Sequence, residues 1–253
     1  MIIIGMTGPI DHGKTTFANS LAAHEPTAKQ FESGLLIAEV ANAWQATLKE
    51  PVDPTDVDAI NAWLRDLPPI LLHTVHAACR FEDVTLDAEE IGFHPVEYQK
   101  LLLHLENVKH NFSLAQTQIE AANKETYRPL LQWLGGYLAQ TVDPGIWWNE
   151  MVRRIKATGD EGCKLAIAAA LRYPADAAIM REAGAKIIKV YRPGHLENDL
   201  LDPTERERAS IEVDCTVIND GTIDQLKAAG EIVANNMYGD QLQPEYRTSL
   251  IVS

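Results

Sequence analysis

The sequence has little of what several protein classes require. Its three cysteines, Cys79, Cys163 and Cys215, are odd in number, far apart and without metal-ligand spacing. That excludes a disulfide framework and a cysteine-based zinc site and predicts buried free thiols. Positive charge is scarce: 22 Lys+Arg stand against 36 Asp+Glu, a formal charge of −14, and no basic cluster relieves it. An acidic surface repels phosphate backbones, so no nucleic-acid partner is expected. No apolar run is long enough to span a membrane, and Met1-Ile2-Ile3-Ile4-Gly5-Met6 lacks the basic flank and the length of a signal peptide. A cytoplasmic protein without membrane attachment is therefore expected. Internal repeats and low-complexity segments are missing too.

What is present is enough apolar matter for a core. Hydrophobic residues make up 46% of the chain and charged residues 23%, a balance that predicts a folded globular protein rather than a disordered one. At 253 residues, one large domain or one domain with a substantial insertion is expected.

Apolar runs and turn residues divide the chain. Ile2 to Met6 reads as a strand, Gly8 to Gly13 as a Gly-rich turn, and Thr15 to Ala23 as a helix. From about Trp44 to Tyr127, prolines at 51, 54, 68 and 69 punctuate stretches with helical spacing of Leu, Ile and Val among carboxylates. This segment reads as a helical insertion, its longest helix running from about Pro95 to Lys124 with Leu101, Leu102, Leu105 and Val108 on one face. Beyond Arg128, helices are expected over Pro129–Gln140, Trp147–Ala157, Asp176–Ala183 and Ile223–Asn235. Strands are expected over Leu165–Leu171, Lys186–Tyr191 and Cys215–Ile218. Strands alternating with helices predict an α/β, three-layer fold around a mostly parallel sheet. The core is then 1–45 with 128–253, and 46–127 is the helical insertion, a candidate for acceptor binding or for an interface such as a homodimer's.

The strongest chemical signal is Gly8-Pro9-Ile10-Asp11-His12-Gly13-Lys14-Thr15, which fits G-x-x-x-x-G-K-[ST] between a strand and a helix. The glycines let backbone N–H groups close around phosphates, and the helix that follows adds the partial positive charge of its N-terminus. Gly8, Asp11, His12, Gly13, Lys14, Thr15 and Thr16 are the candidate nucleotide-binding residues. Lys14 would bridge the β- and γ-phosphates as a point charge, and Thr15 would place its hydroxyl on Mg²⁺. The bland alternative is a Gly-rich turn that happens to feed a helix.

Such a loop announces a nucleoside triphosphate but not the chemistry. Asp11-His12-Gly13-Lys14-Thr15 resembles the phosphate loop of translational GTPases, yet the guanine-reading Asn-Lys-x-Asp of those proteins is absent: the only Asn-Lys, in Asn123-Lys124-Glu125-Thr126, lacks the Asp.

Three further segments resemble the phage-type deoxynucleoside monophosphate kinases, a branch of the P-loop nucleotide kinases. Arg128-Pro129-Leu130-Leu131-Gln132-Trp133-Leu134-Gly135, with Trp147-Trp148 downstream, is similar to that family's Arg-x-Leu-x-Gln-x-x-Gly helix and its later Trp. Leu171-Arg172-Tyr173-Pro174, then Lys186 to Val190 and Arg192-Pro193-Gly194, resembles its strand, Arg, helix and next strand. Asp214 to Gly221 resembles its last strand and Asn-Asp-Gly turn. With the phosphate loop, the resemblance covers about half of the chain.

The resemblance implies a kinase that transfers the γ-phosphoryl group of ATP, with Mg²⁺, to a nucleoside monophosphate or a similar small acceptor. Lys14, Arg128 and Arg172 become the catalytic candidates, the two arginines clamping the acceptor phosphate and the transition-state charge. Gln132 becomes a reader of base or sugar, and Arg206 and Arg208, in the polar segment His195 to Ile211, become lid candidates. Plain alternatives stand beside these roles. Arg128 and Arg172 can pair with surface carboxylates, Arg206 and Arg208 lie among Glu205, Glu207 and Glu212 as in a solvated charge run, and Trp133, Trp147 and Trp148 suit a core better than a base platform. His73 and His76, one helical turn apart, are ordinary packing residues without a third ligand.

The chain also departs from the family. Where the family carries Asp-x-Arg, this chain has Ala170-Leu171-Arg172, so the carboxylate expected near Mg²⁺ is missing; Asp176 is the nearest in sequence. Tyr137 replaces an acidic residue after the helix, and Leu36, read here as part of a loop after the first helix, replaces a lysine. A nucleotide-binding regulatory protein without phosphotransfer is therefore the second reading. A GTPase, or a kinase of modified bases in DNA, follows behind it.

Overall fold

A computed structural model of the protein describes residues 1–47, 100, 103, 104, 106–108, 110–141, 143–195 and 207–251. The chain divides into two compact units, residues 1–33 with 148–253, and residues 34–147. The strands are β1 (Ile2–Thr7), β2 (Lys29–Glu32), β3 (Leu165–Ala169), β4 (Lys186–Tyr191), β5 (Cys215–Ile218) and β6 (Glu245–Arg247). The helices are α1 (Lys14–His24), α2 (Ser33–Gln45), α3 (Ser113–Gln116), α4 (Arg128–Thr141), α5 (Ile146–Asp160), α6 (Pro174–Glu182) and α7 (Ile223–Tyr238).

The first unit is built on one six-stranded sheet in the order β2-β3-β1-β4-β5-β6, every pair of neighbours parallel. The expected α/β class holds, and the sheet is wholly rather than mostly parallel. Near-continuous Ile in β1 suits a strand buried on both faces. Side-chain alternation sends Ile4 and Met6 into one core with Phe17 and Leu21 of α1 and Leu226 and Val233 of α7. On the opposite face Gly5 leaves room for the side chains of Ile187 and Leu171, whose Cδ1 atoms lie 2.7 and 2.8 Å from where a Cβ would stand. Each fully buried side chain of this set contributes roughly 1.5–3 kcal/mol relative to exposure. Helices α1 and α7 meet closely because Gly230 faces Ser20, whose hydroxyl donates to the Lys227 carbonyl.

The edge strands β2 and β6 escape sequence reading. Lys29-Gln30-Phe31-Glu32 and Glu245-Tyr246-Arg247 are short and polar, since an edge strand needs no apolar alternation and charge protects it from further pairing. β3 ends at Ala169 rather than at Leu171. From β1 the chain leads to the edge strand β2, whereas from β3 it crosses to β4 on the other side of β1. The two loops at the carboxyl ends of β1 and β3 therefore diverge, which is where parallel α/β sheets bind ligands.

The second unit packs α2 and α4 through Trp44 and Trp133, whose rings lie 6.0 Å apart, among buried Leu36, Val40, Leu130 and Leu134. Trp133 is thus core, as are Trp147, whose indole N–H donates to the Gly135 carbonyl at 2.9 Å, and Trp148 in the first unit. The segment read as a loop over 31–36 is the end of β2 and the start of α2, with Leu36 buried.

The long helix expected over 95–124 does not run to Lys124. Val108 is buried as predicted, but the helical residues stop at His110 and only the one-turn α3 follows. Polar side chains compete for the backbone here. The Ser113 hydroxyl donates to Asn111 Oδ1, and Asn123 binds both the Gln118 carbonyl and the Glu120 N–H. Asn42 of α2 clamps Ile119 by both its N–H and its carbonyl, at 2.7 and 3.1 Å, which holds the chain extended. Leu101, Leu102, Leu105, His73, His76 and Cys79 lie outside the described residues.

Cys163 and Cys215 are buried free thiols. Desolvation, with Asp214 adding to it, pushes the Cys215 thiol up to about 12, so it is inert. No helix among the described residues is long and apolar enough to cross a membrane.

Candidate active site

Three residues of the loop after β1 have left-handed backbone: Gly8 (φ 131), Asp11 (φ 62) and Gly13 (φ 99). At Gly8 a Cβ would collide with the Val190 carbonyl oxygen, and at Gly13 it would stand 2.7 Å from Asn219 Nδ2 and 2.9 Å from Leu226 Cδ2. Glycine is required at both, because the loop is pressed onto the ends of β4 and β5. Asp11 tolerates its conformation as a short polar side chain can. Gly13 is the N-cap of α1; it brings no side-chain acceptor, and the first turn carries no acidic residue. The first N–H groups of α1 and its positive end are therefore well suited to an anion. Lys14 Nζ lies over the loop, donating to the Gly8 carbonyl at 2.6 Å and to the Pro9 carbonyl. Thr15 is exposed and Thr16 half-buried.

Five hydrogen bonds hold this loop and the strand ends beneath it. The Thr7 hydroxyl donates to the Leu171 carbonyl at 3.1 Å, and the Leu171 N–H donates to the Met6 carbonyl at 3.0 Å. The His12 side chain is fully buried, its Nδ1 accepting the Arg192 N–H at 2.9 Å, between the rings of Tyr191 and His195. That bond assigns the proton of the neutral ring to Nε2. Asn219 donates from Nδ2 to the His12 carbonyl at 3.0 Å and from its N–H to the Tyr191 carbonyl at 2.7 Å. Next to it, Asp220 Oδ1 accepts from the Ser249 N–H at 3.0 Å, which draws its carboxyl below the usual carboxylate range. Sequence reading placed Asn219 in a turn but missed its function as a fastener. The signal was an Asn at the carboxyl end of a buried strand.

Arg172 starts from the same place, since Leu171 is the residue bonded to Met6 and Thr7; its side chain is exposed. The Arg172 and Tyr173 N–H groups both donate to Asp176 Oδ2 at 3.0 Å, so Asp176 caps α6. Asp176 is only 5% exposed, and desolvation raises its pKa against these bonds, the Arg172 charge and the Trp148 indole N–H. The carboxylate nearest in sequence to position 170 is thus occupied in capping. Ala170 itself holds φ 77, an uncommon conformation for alanine.

Arg128 opens α4 and Gln132 follows one turn later on the same face, both exposed. Arg128 Nη1 pairs with Glu125 Oε2 at 2.9 Å, with the two side chains 57% and 79% exposed. The surface pairing weighed from the sequence is therefore present. A pair so exposed holds the guanidinium by about 0–1 kcal/mol, which an incoming phosphate readily exceeds. Arg208 is half-buried in the helical turn 207–209, and Arg206 lies outside the described residues. Among the described residues no group of three or more His, Cys, Asp or Glu is placed to hold a metal.

Residues 72–229, more than half of the chain, match the model of the deoxynucleotide monophosphate kinase family. The phosphate loop at 8–15 lies outside that span, so the match and the loop are separate observations. No curated protein matches the chain.

Proposed function

We propose, because the chain belongs to the deoxynucleotide monophosphate kinase family, that it transfers the γ-phosphoryl group of ATP to a deoxynucleoside monophosphate with the help of Mg²⁺. One observation carries the donor half of this reading: a loop in which Gly8 and Gly13 admit no side chain leads into a helix without a side-chain cap, and Lys14 is folded over the loop's own carbonyls. Those carbonyls stand in for phosphate oxygens. When the triphosphate arrives, Lys14 exchanges them for the β- and γ-phosphates, and the N–H groups of the loop and of the first turn of α1 take the remaining oxygens. The exposed Thr15 hydroxyl would be the protein ligand for Mg²⁺, which would supply positive charge against the charge that develops on the transferring group.

Arg172, exposed directly after the Leu171 that bonds to Met6 and Thr7, is assigned to the acceptor phosphate and the transition-state charge. The acceptor roles of Arg128 and of Gln132, one turn further along α4, rest on the family resemblance. A phosphate acceptor is already a nucleophile at neutral pH, so positioning and positive charge suffice without a dedicated base. His12 supports the loop through Arg192 rather than the chemistry. The segment 46–127, most of it outside the described residues, stays a candidate for acceptor binding or for an interface.

Ala170 supports the second reading, in which ATP binds and no phosphoryl group moves, because no carboxylate stands at that position and Asp176 is occupied. ADP production from Mg-ATP, measured with each deoxynucleoside and ribonucleoside monophosphate in turn, separates the two. Turnover with one acceptor and its loss in Lys14→Ala support the kinase; ATP binding that depends on Lys14 with no turnover on any acceptor supports the second reading.

A further inference from the structure

A cavity of about 390 Å³ opens within residues 34–147, inside the roughly 300–1,000 Å³ range of small-molecule sites. Its described walls come from the end of α2 (Asn42, Gln45, Ala46) and from the stretch around α3, where Phe112, Ala115 and Gln116 take part; no charged side chain is among them. Its polar groups are amides and a threonine hydroxyl, and its apolar surface is an aromatic ring and two alanines. That combination matches a flat, neutral ligand with hydrogen-bonding edges better than it matches a phosphate or a carboxylate.

Gln45 makes the match specific. Its side chain is 2% exposed, and its Oε1 accepts from His104 Nε2 at 3.1 Å. His104 is itself buried, and desolvation lowers its pKa to about 4, so near neutral pH it is uncharged; with the Gln45 oxygen as its partner, its ring proton sits on Nε2. In this arrangement the amide oxygen of Gln45 faces His104. The Gln45 Nε2 amino group is then left with no hydrogen-bond partner among the described residues. Buried amide donors are seldom left unmet, and this one belongs to a residue that lines a cavity. Asn42 is different: its amide is committed in both directions to Ile119, which makes it a fixed wall.

We propose that this cavity binds a neutral planar heterocycle of the nucleobase class, with a carbonyl or ring-nitrogen acceptor on Gln45 Nε2 and a ring face against Phe112. Lys14, Arg128 and Arg172 take no part in it. The site can therefore be present or absent whatever the outcome for phosphoryl transfer.

Calorimetric titration of the full chain with adenosine, guanosine, cytidine, uridine and thymidine, without ATP, tests it. Saturable binding of at least one nucleoside is expected. Gln45→Met, which keeps the length and removes the donor, should weaken that binding about tenfold, the scale of one hydrogen bond. Ala46→Trp, a substitution at an exposed position that blocks the cavity, should abolish it, and this variant decides the question if Gln45→Met does not fold. No binding by any nucleoside, or binding that Ala46→Trp leaves unchanged, overturns the proposal. If nucleoside monophosphates are still phosphorylated in that event, only the cavity assignment falls.

Discussion

The side-chain amide of Asn219 donates to the backbone carbonyl of His12 at 3.0 Å, tying the turn after β5 to the phosphate loop after β1. The same amide occupies the space that a Cβ on Gly13 would need. One residue thus both anchors the loop and keeps it closely packed. Asn219→Ala removes one hydrogen bond and leaves the His12 carbonyl to find another donor, so stability should fall by about 1 kcal/mol. The larger effect should be on the nucleotide: a loop free to drift loses preorganisation, and ATP affinity should fall by about tenfold. Urea unfolding and an ATP titration of the same variant separate the two effects.

Ala170 has φ 77, where a residue with a Cβ stands at a disadvantage of about 1–2 kcal/mol. Ala170→Gly should therefore raise the stability, by about 1 kcal/mol after the greater entropy of glycine in the unfolded chain is counted. Ala170→Asp should fold as well, because aspartate enters this region more easily than alanine does. If a carboxylate at the carboxyl end of β3 assists the metal, that variant should raise kcat with little change in KM for ATP. Thermal unfolding and steady-state kinetics on both variants provide the check.

His104 makes the second unit sensitive to acid. Burial holds its folded-state pKa at about 4 against 6.5 for an ordinary histidine, so protonation favours the unfolded chain. Its contribution is fully present above pH 6.5 and is lost as pH falls from there towards 4, a loss on the order of 3 kcal/mol. Asp176 acts in the other direction. Its folded-state pKa is raised, so its ionisation costs stability as pH rises through that value. Unfolding measured from pH 7 to 4 should show a decline that His104→Leu largely removes.

Arg128 pairs with Glu125 at an exposed position and so contributes little to the fold. Arg128→Ala should leave the unfolding midpoint within about 0.5 kcal/mol of the parent. If Arg128 holds the acceptor phosphate, KM for the acceptor should rise about 10–100-fold, as when a charge-assisted hydrogen bond is lost, while KM for ATP stays put. An unchanged acceptor KM would return Arg128 to the surface.

The parts legible in the sequence were those that depend on local pattern. The apolar runs of β1, β4 and β5 and the Gly-rich loop were read closely, because burial on both faces and left-handed glycines both leave a residue-level signature. The illegible parts depend on contacts far apart in the chain. β2 and β6 carry no apolar alternation, and the early end of the helix before Asn111 depends in part on Asn42 reaching Ile119 across 77 positions. In the site, Lys14 and Thr15 were visible as a motif, whereas the link from His12 to Arg192 spans 180 positions and no spacing rule reveals it. The commitment of Asp176 to capping was written locally, in Tyr173-Pro174-Ala175-Asp176, as an acidic residue in the first turn after a proline.

The most direct test of the central claim follows the phosphoryl group itself. ATP labelled in its γ-phosphoryl group is incubated with the protein, Mg²⁺ and each deoxynucleoside monophosphate, and the products are separated. The label should appear in a deoxynucleoside diphosphate, one for each ADP formed, and should vanish in Lys14→Ala. Label that stays in ATP with every acceptor, while ATP still binds and Lys14→Ala abolishes that binding, would contradict the assignment of a kinase.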